Sequence, residues 1–465
     1  MPVIPSKVAS QTKPQTSQPS PNFSPAMRLQ RLLALVCPVP DEWLKQPTNG
    51  KSSGKCSNHQ DGGEILPLPC NSYALLEGAW NDAIKWTPGL NHAMACMLAS
   101  IASTNSIGDQ LWIKVIGPAS CGKSMLCEAI TLNREHIYAK STIRGFHSGY
   151  KSDGGGSEED NSLITGLDGK TLVTKDGDTL LQSPNLSQIL SEARDVYDGS
   201  SRTHYRNKMS KDYERLRITW ILCGTSSLRA LDSSELGERF LDCVIMEGID
   251  DELEDEVLLL VAEKADLELG IKSGEDGAVL YEPKLLNAMQ LTAGYVNFLK
   301  EDAANTLSTI QMGREAKYKC ARLGKFVAHM RARPSLRQEE VAEREFGARL
   351  VKQLTRMAKC LALALNKPTV DEEVLRRVTK VAMDTGRGKT LALAALMYHE
   401  VTGQSTAALS MYINSTEEKV KSLLRFLKQI GVAELYQPDP VNNIKQKPKW
   451  RLTKRMRTLY EEVIQ

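Results

Sequence analysis

The octapeptide Gly117-Pro118-Ala119-Ser120-Cys121-Gly122-Lys123-Ser124 fits the spacing G-x-x-x-x-G-K-[ST] without a mismatch. These residue types suit a polyphosphate. Glycines let backbone N–H groups curve around a phosphate, and the N-terminus of a following helix adds a partial positive charge there. Lys123 then reaches the β- and γ-phosphates, Ser124 places its hydroxyl on Mg2+, and Met125 opens the helix that completes the cradle. ATP and Mg2+ are the cofactors this chemistry implies. The loop needs a strand before it and a helix after it, and the sequence predicts both, over 111–116 and 125–132.

Hydrolysis also needs a carboxylate at the end of a neighbouring strand to hold hydrated Mg2+, and a group to orient the attacking water. Asp176 and Asp178 follow the apolar run 171–175, and either suits the metal; an Asp-Gly turn accounts for the same residues. The usual Asp-Glu pair is missing because Gly177 follows Asp176. A second stretch, Thr385-Gly386-Arg387-Gly388-Lys389-Thr390, has the ending of a phosphate loop. Met383 stands where its first glycine belongs, so this stretch reads as a hinge between domains.

The elements around these residues set the fold class, α/β. Short apolar runs at 111–116, 137–140, 171–175, 218–223 and 242–246 alternate with helices, the texture of a parallel sheet covered on both faces. Residues 1–25 read as a disordered tail rich in Ser, Pro, Gln and Thr, and 26–100 as a small, mostly helical region. A nucleotide-binding core over 101–250 precedes a helical domain over 251–385, where Leu350, Leu354, Met357, Leu361 and Leu365 mark one buried helix face. Over 386–465 come three helices (390–400, 406–413, 416–430), then strands 432–436 and 449–452: the order of a winged helix-turn-helix. Ser415 and Glu418 form a capping box for the third helix, and Gly431 its stop.

A chain of 465 residues exceeds one core, and with 59 basic against 56 acidic residues any nucleic-acid affinity must come from local patches. Ten cysteines lack paired spacing, which favours free thiols in a reduced, cytoplasmic setting; Cys56, His59, Cys70 and Cys37 do not match zinc spacings. No apolar run is long enough for a bilayer, so no membrane partner is expected.

Taken together these motifs resemble AAA+ ATPases, in the helicase-like branch that includes the minichromosome maintenance helicases and phage or plasmid replication proteins. The resemblance spans roughly residues 100–465. It implies a P-loop AAA+ core, an α-helical lid and a C-terminal winged helix, assembled as a homo-oligomer, a hexameric ring. Within it Thr225 takes the sensor-1 place at the tip of strand 218–223, and Arg239 before Phe240 takes that of an arginine finger entering the neighbouring subunit. Arg349, seven residues before Arg356, takes the sensor-2 role on the γ-phosphate. Arg202, Arg206 and Lys208 fall where the branch carries a pore hairpin.

The third C-terminal helix carries Lys419, Lys421, Arg425 and Lys428, and the wing Lys445, Lys447, Lys449, Arg451, Lys454, Arg455 and Arg457. That is the footprint of a duplex-DNA partner, with a protein partner as the alternative. The function expected is an ATP-driven DNA-remodelling motor, a replication helicase or helicase-like ATPase of a phage, plasmid or integrated element. The alternative is a nucleotide switch, loader or regulator that binds DNA or protein without unwinding.

Overall fold

The structure, a computed structural model, describes residues 65–140, 142–148, 160, 162–205, 210–233, 239–245, 255–263, 282–332, 346–386, 388–438 and 447–464. Five strands, β1 (Trp112–Ile116), β2 (Ile137–Ala139), β3 (Thr171–Thr174), β6 (Thr219–Gly224) and β7 (Phe240–Val244), form one parallel sheet in the order β2-β3-β6-β1-β7. Every residue of β1, β3 and β6 is buried, because helices cover both faces and leave no solvent side for polar alternation. Lys114 of β1 is the charged exception. It lies in register with Asp242 of β7, 3.1 Å from its carboxylate, and both are fully buried, so each charge offsets the other. The strands fall within two residues of their expected positions.

One sheet face presents Ile113, Val115, Val173, Ile221, Cys223, Leu241, Cys243 and Ile245 to a helical layer. That layer comprises α1 (Tyr73–Ala83), α2 (Pro88–Ser103), α3 (Lys123–Thr131), α7 (Pro283–Lys300), α8 (Arg314–Arg331), α9 (Ala348–Ala364) and α10 (Glu372–Gly386). The opposite face packs Trp112, Trp220 and Phe240 against Tyr197 and its helix α6 (Leu186–Tyr197), with α4 (Leu163–Leu167) and α5 (Asp178–Leu181) alongside. Trp112 sits edge-on to Tyr197 and Trp220, with centroids 5.1 and 5.4 Å away. β4 (Ser200–His204) and β5 (Ser210–Glu214) make a separate antiparallel hairpin between α6 and β6.

Helices from either side of the sheet strands in sequence join one apolar cluster with the sheet. α2, which starts at the Thr87 cap with Pro88 in its first turn, is buried at every residue from Gly89 to Ser103, so it belongs to the core rather than to a separate region over 26–100. The helices between 282 and 386 share one apolar cluster with the sheet, so their packing is that of a core layer and not of a detached lid. α10 also guards the edge of the sheet: Asp242 N–H donates to Thr385 Oγ1 (2.9 Å) and Val244 N–H to Asp384 Oδ2 (2.8 Å).

The C-terminal part runs α11 (Gly388–His399), α12 (Thr406–Tyr412), α13 (Glu417–Gln429), the antiparallel pair β8 (Ala433–Tyr436) and β9 (Lys449–Leu452), and α14 (Lys454–Ile464). α14 docks on α8, where Tyr460 meets Phe326 edge-on at 5.4 Å and Lys319 Nζ donates to Glu462 O at 3.0 Å. The stretch 385–390 joins α10 to α11 through Gly388 at φ +82°, and Gly431 ends α13 at φ +74°. The expected capping box does not form. Thr416 occupies the N-cap without a side-chain bond, and Ser415 Oγ instead accepts from Lys389 Nζ at 2.8 Å. Among the described residues no helix is long and apolar enough to cross a membrane.

Candidate phosphate-binding site

β1 delivers the chain to the loop, and α3 leaves it. Gly117 N–H donates to Gly224 O at 3.2 Å, which ties the loop entry to the tip of β6. Ser120 (φ +64°) and Gly122 (φ +89°) both adopt the left-handed conformation, and successive amides in such turns make a concave anion-binding nest. At Gly122 a Cβ would lie 2.9 Å from Leu90 Cδ2, and at Gly117 2.6 Å from Cys121 Sγ. The spacing of the two glycines therefore follows from close packing as well as from turn geometry.

Lys123 is the first residue of α3 and is 9% exposed. Its Nζ donates to Gly117 O (2.8 Å) and to Pro118 O, and lies 3.5 Å from Cys121 Sγ. The ammonium is held across the loop by acceptors that phosphate oxygens can replace. Pro118, Ala119, Ser120 and Ser124 are exposed on the loop, while Cys121 and Met125 are half-buried.

Of the two carboxylates left open by the sequence, the structure brings Asp178 to this site. It opens α5; its Oδ2 accepts Thr225 N–H at 2.9 Å, and its Oδ1 accepts the Ser227 hydroxyl. Burial pushes the Asp178 pKa up, but the Ser227 and Thr225 bonds and the Lys123 charge outweigh it and hold the group below the usual carboxylate range. Asp176 is exposed, and its backbone carbonyl accepts the Thr179 hydroxyl at 2.7 Å. Gly177 between them has a packing reason to be glycine: its N–H donates to Cys223 O at 2.6 Å, and a Cβ would stand 2.6 Å from Leu222 Cδ1. A glutamate after Asp176 does not fit.

Thr225 immediately follows β6, the strand between β1 and β3, so its backbone stands between the loop after β1 and Asp178. Its hydroxyl lies 2.8 Å from Ser227 Oγ. Ser227 is the functional candidate that the sequence reading lacked. The only available signal was its place three residues beyond the strand tip.

Arg239 and Arg349 are not brought to this site. Arg239 immediately precedes Phe240, which pairs with Trp112 at the start of β1, whereas the loop follows Ile116 at its end. A five-residue strand, roughly 16 Å, lies between. The Arg239 side chain is buried (5% exposed), donates to Asp198 Oδ2 at 2.9 Å and stacks 5.4 Å from the Tyr197 ring. Within its own chain it is pinned between Asp198 and Tyr197. Gln353, one turn beyond Arg349 on α9, donates to Arg239 O (2.7 Å) and to the Tyr197 hydroxyl (3.0 Å), which puts Arg349 at the same far edge. Arg356 holds the turn after α2, donating to Ser106 Oγ and Ile107 O, both at 2.9 Å. Arg349 thus lies beside Tyr197, toward the edge of the sheet away from this chain's own loop.

The expected hairpin before β6 is present, yet Arg202 on it is paired with Asp212 (2.9 Å) and Glu214 (3.3 Å). Arg206 and Lys208 lie outside the described residues. In the C-terminal part Lys419, Lys421, Arg425 and Lys428 are all exposed on α13, with Lys447, Lys454 and Arg455 exposed nearby in sequence. Arg451 instead bonds Glu434 at 2.7 Å, and Arg457 donates to Met397 O (2.8 Å) and Tyr398 O (2.7 Å), closing the end of α11. Lys445, Cys37, Cys56 and His59 lie outside the described residues, and Cys70 is buried.

No family model matches the chain, and no curated protein matches it. The reading of function therefore rests on the residues and their geometry.

Proposed function

We propose that this chain is a P-loop ATPase of the AAA+ kind, of the helicase-like branch, that binds Mg-ATP at Gly117–Ser124 and works on DNA as a homo-oligomer. One observation carries the reading: two left-handed residues, Ser120 and Gly122, shape a nest at the N-terminus of α3, with Lys123 folded onto the carbonyls of its own loop. In this reading Lys123 exchanges Gly117 O and Pro118 O for β- and γ-phosphate oxygens, and Ser124 and Asp178 flank Mg2+. Thr225 and Ser227 fix the carboxylate of Asp178. The exposed cations of α13 and the β8–β9 pair support a winged helix on duplex phosphates.

A second reading, a nucleotide switch that binds DNA or a protein without unwinding, draws on one observation. Both Asp178 oxygens are engaged within the chain, and Arg239, the expected transition-state cation, is bound to Asp198; both features favour slow hydrolysis. ATP turnover measured with and without single- and double-stranded DNA, beside strand displacement, separates the two. DNA-stimulated turnover with displacement is expected of the motor. Turnover without displacement selects the switch, and absence of nucleotide binding overturns both.

A further inference from the structure

Behind the phosphate loop, His92 and Cys96 project from one face of α2, four residues apart, toward Cys243 on β7. The imidazole nitrogen and the two sulfurs all lie within 4.8 Å of one another, with Cys96 Sγ 3.6 Å from His92 Nε2. His92 is 5% exposed, Cys96 0% and Cys243 1%. An imidazole ring in an apolar core needs a strong partner for its nitrogen, and here the nitrogen faces thiols, which are weak ones. Their sequence neighbours Ala93, Leu241 and Ile245 belong to the same apolar cluster.

We propose that His92, Cys96 and Cys243 form a buried site for a thiophilic cation such as Zn2+, stapling α2 to β7. Two thiolates and an imidazole are the soft, borderline donor set that selects Zn2+ or Cu+ over Mg2+ or Ca2+. Zn–S bonds of about 2.3 Å and a Zn–N bond of about 2.0–2.1 Å place tetrahedral ligand atoms roughly 3.5–3.8 Å apart, so closure by about 1 Å brings the three donors to bonding distance and leaves a fourth position for a water molecule. Binding releases the two thiol protons, so affinity rises with pH. The site is separate from the Mg-ATP site but adjoins it structurally, because Leu90, two residues before His92, packs against Gly122. The metal thus braces the helix on which the loop rests, and contributes to folding rather than to chemistry.

The test is elemental analysis of the purified full-length chain for Zn, Cu and Fe, with Co2+ reconstitution of metal-stripped protein followed by thiolate-to-cobalt absorption. About one equivalent of metal per chain is expected, lost in Cys96→Ala and in Cys243→Ala, kept in Cys70→Ala, with the charge-transfer band following the same pattern. Circular dichroism and Mg-ATP titration of each variant separate loss of the site from loss of the fold. Metal-free protein that takes up no Co2+, or a metal content unchanged in folded Cys243→Ala, overturns the site whatever the outcome for ATP.

Discussion

Replacing Asp178 by Ala removes the acceptor that joins the start of α5 to the tip of β6. Two bonds are lost, one from Thr225 N–H and one from the Ser227 hydroxyl, both to an ionised carboxylate. Such bonds contribute about 1.5–3 kcal/mol each when protected from water. Asp178 is only half-buried, so solvent screening reduces the pair to roughly 1–2 kcal/mol. At roughly 1 °C per kcal/mol for a cooperative unit of this size, this lowers Tm by roughly 1–2 °C in thermal denaturation near neutral pH. The folded pKa of Asp178 is depressed, so its contribution is complete above the unfolded value of about 3.9 and is lost as pH falls through the lower folded value. The gap in stability between wild type and variant should therefore narrow only in acid. In the nucleotide titration the same variant should lose the gain in affinity that Mg2+ gives. Asp176→Ala, which removes an exposed carboxylate, should change neither reading. A larger effect from Asp176→Ala than from Asp178→Ala, or a gap that persists unchanged below both pKa values, refutes the assignment.

Gly122→Ala forces an L residue to φ +89° with its Cβ against Leu90; a cost of at least about 1–2 kcal/mol is expected, and a Tm equal to wild type would show that the loop relaxes freely. Arg239→Ala breaks the ion pair with Asp198 and the stacking on Tyr197, so it should lower Tm in the isolated monomer; full stability, with turnover restored on mixing with an inactive phosphate-loop variant, would reinstate the finger role. Lys421→Ala together with Arg425→Ala should weaken duplex binding and flatten its salt dependence, measured by anisotropy across a salt series; an unchanged slope removes α13 from the DNA surface.

The strand, loop and helix around Gly117–Ser124 were legible from sequence because the motif fixes residue types and spacing, and the parallel strands because burial on both faces leaves continuous apolar runs. Lys114 did not disguise β1, since one charge in register with Asp242 leaves the surrounding apolar run intact. The choice between Asp176 and Asp178 was not legible. It depends on Thr225 and Ser227 arriving from a strand some 47 residues away in sequence. Gly177 read as a departure from an acidic pair, and only the contact with Leu222 shows it as a packing requirement. Where Arg239 and Arg349 lie relative to the loop was not legible, because helical spacing and a following Phe say nothing about which end of a sheet a residue occupies. The register of Phe240 with Trp112 supplies that. α2 was assigned outside the core because its run of Ala, Met and Cys has no polar face to reveal which side is buried; all sides are.

The proposed function requires Lys123 to grip a bound triphosphate, and calorimetric titration with Mg-ATP of wild type and Lys123→Ala measures that grip. Lys123 gives up two carbonyl bonds to make charged ones, so a net loss of about 1.5–3 kcal/mol in the variant is expected, roughly 10- to 150-fold in Kd. Saturable heat in wild type and a weakened isotherm in the folded variant support the site. Flat heats from folded wild-type protein, or equal affinity in the two, contradict it.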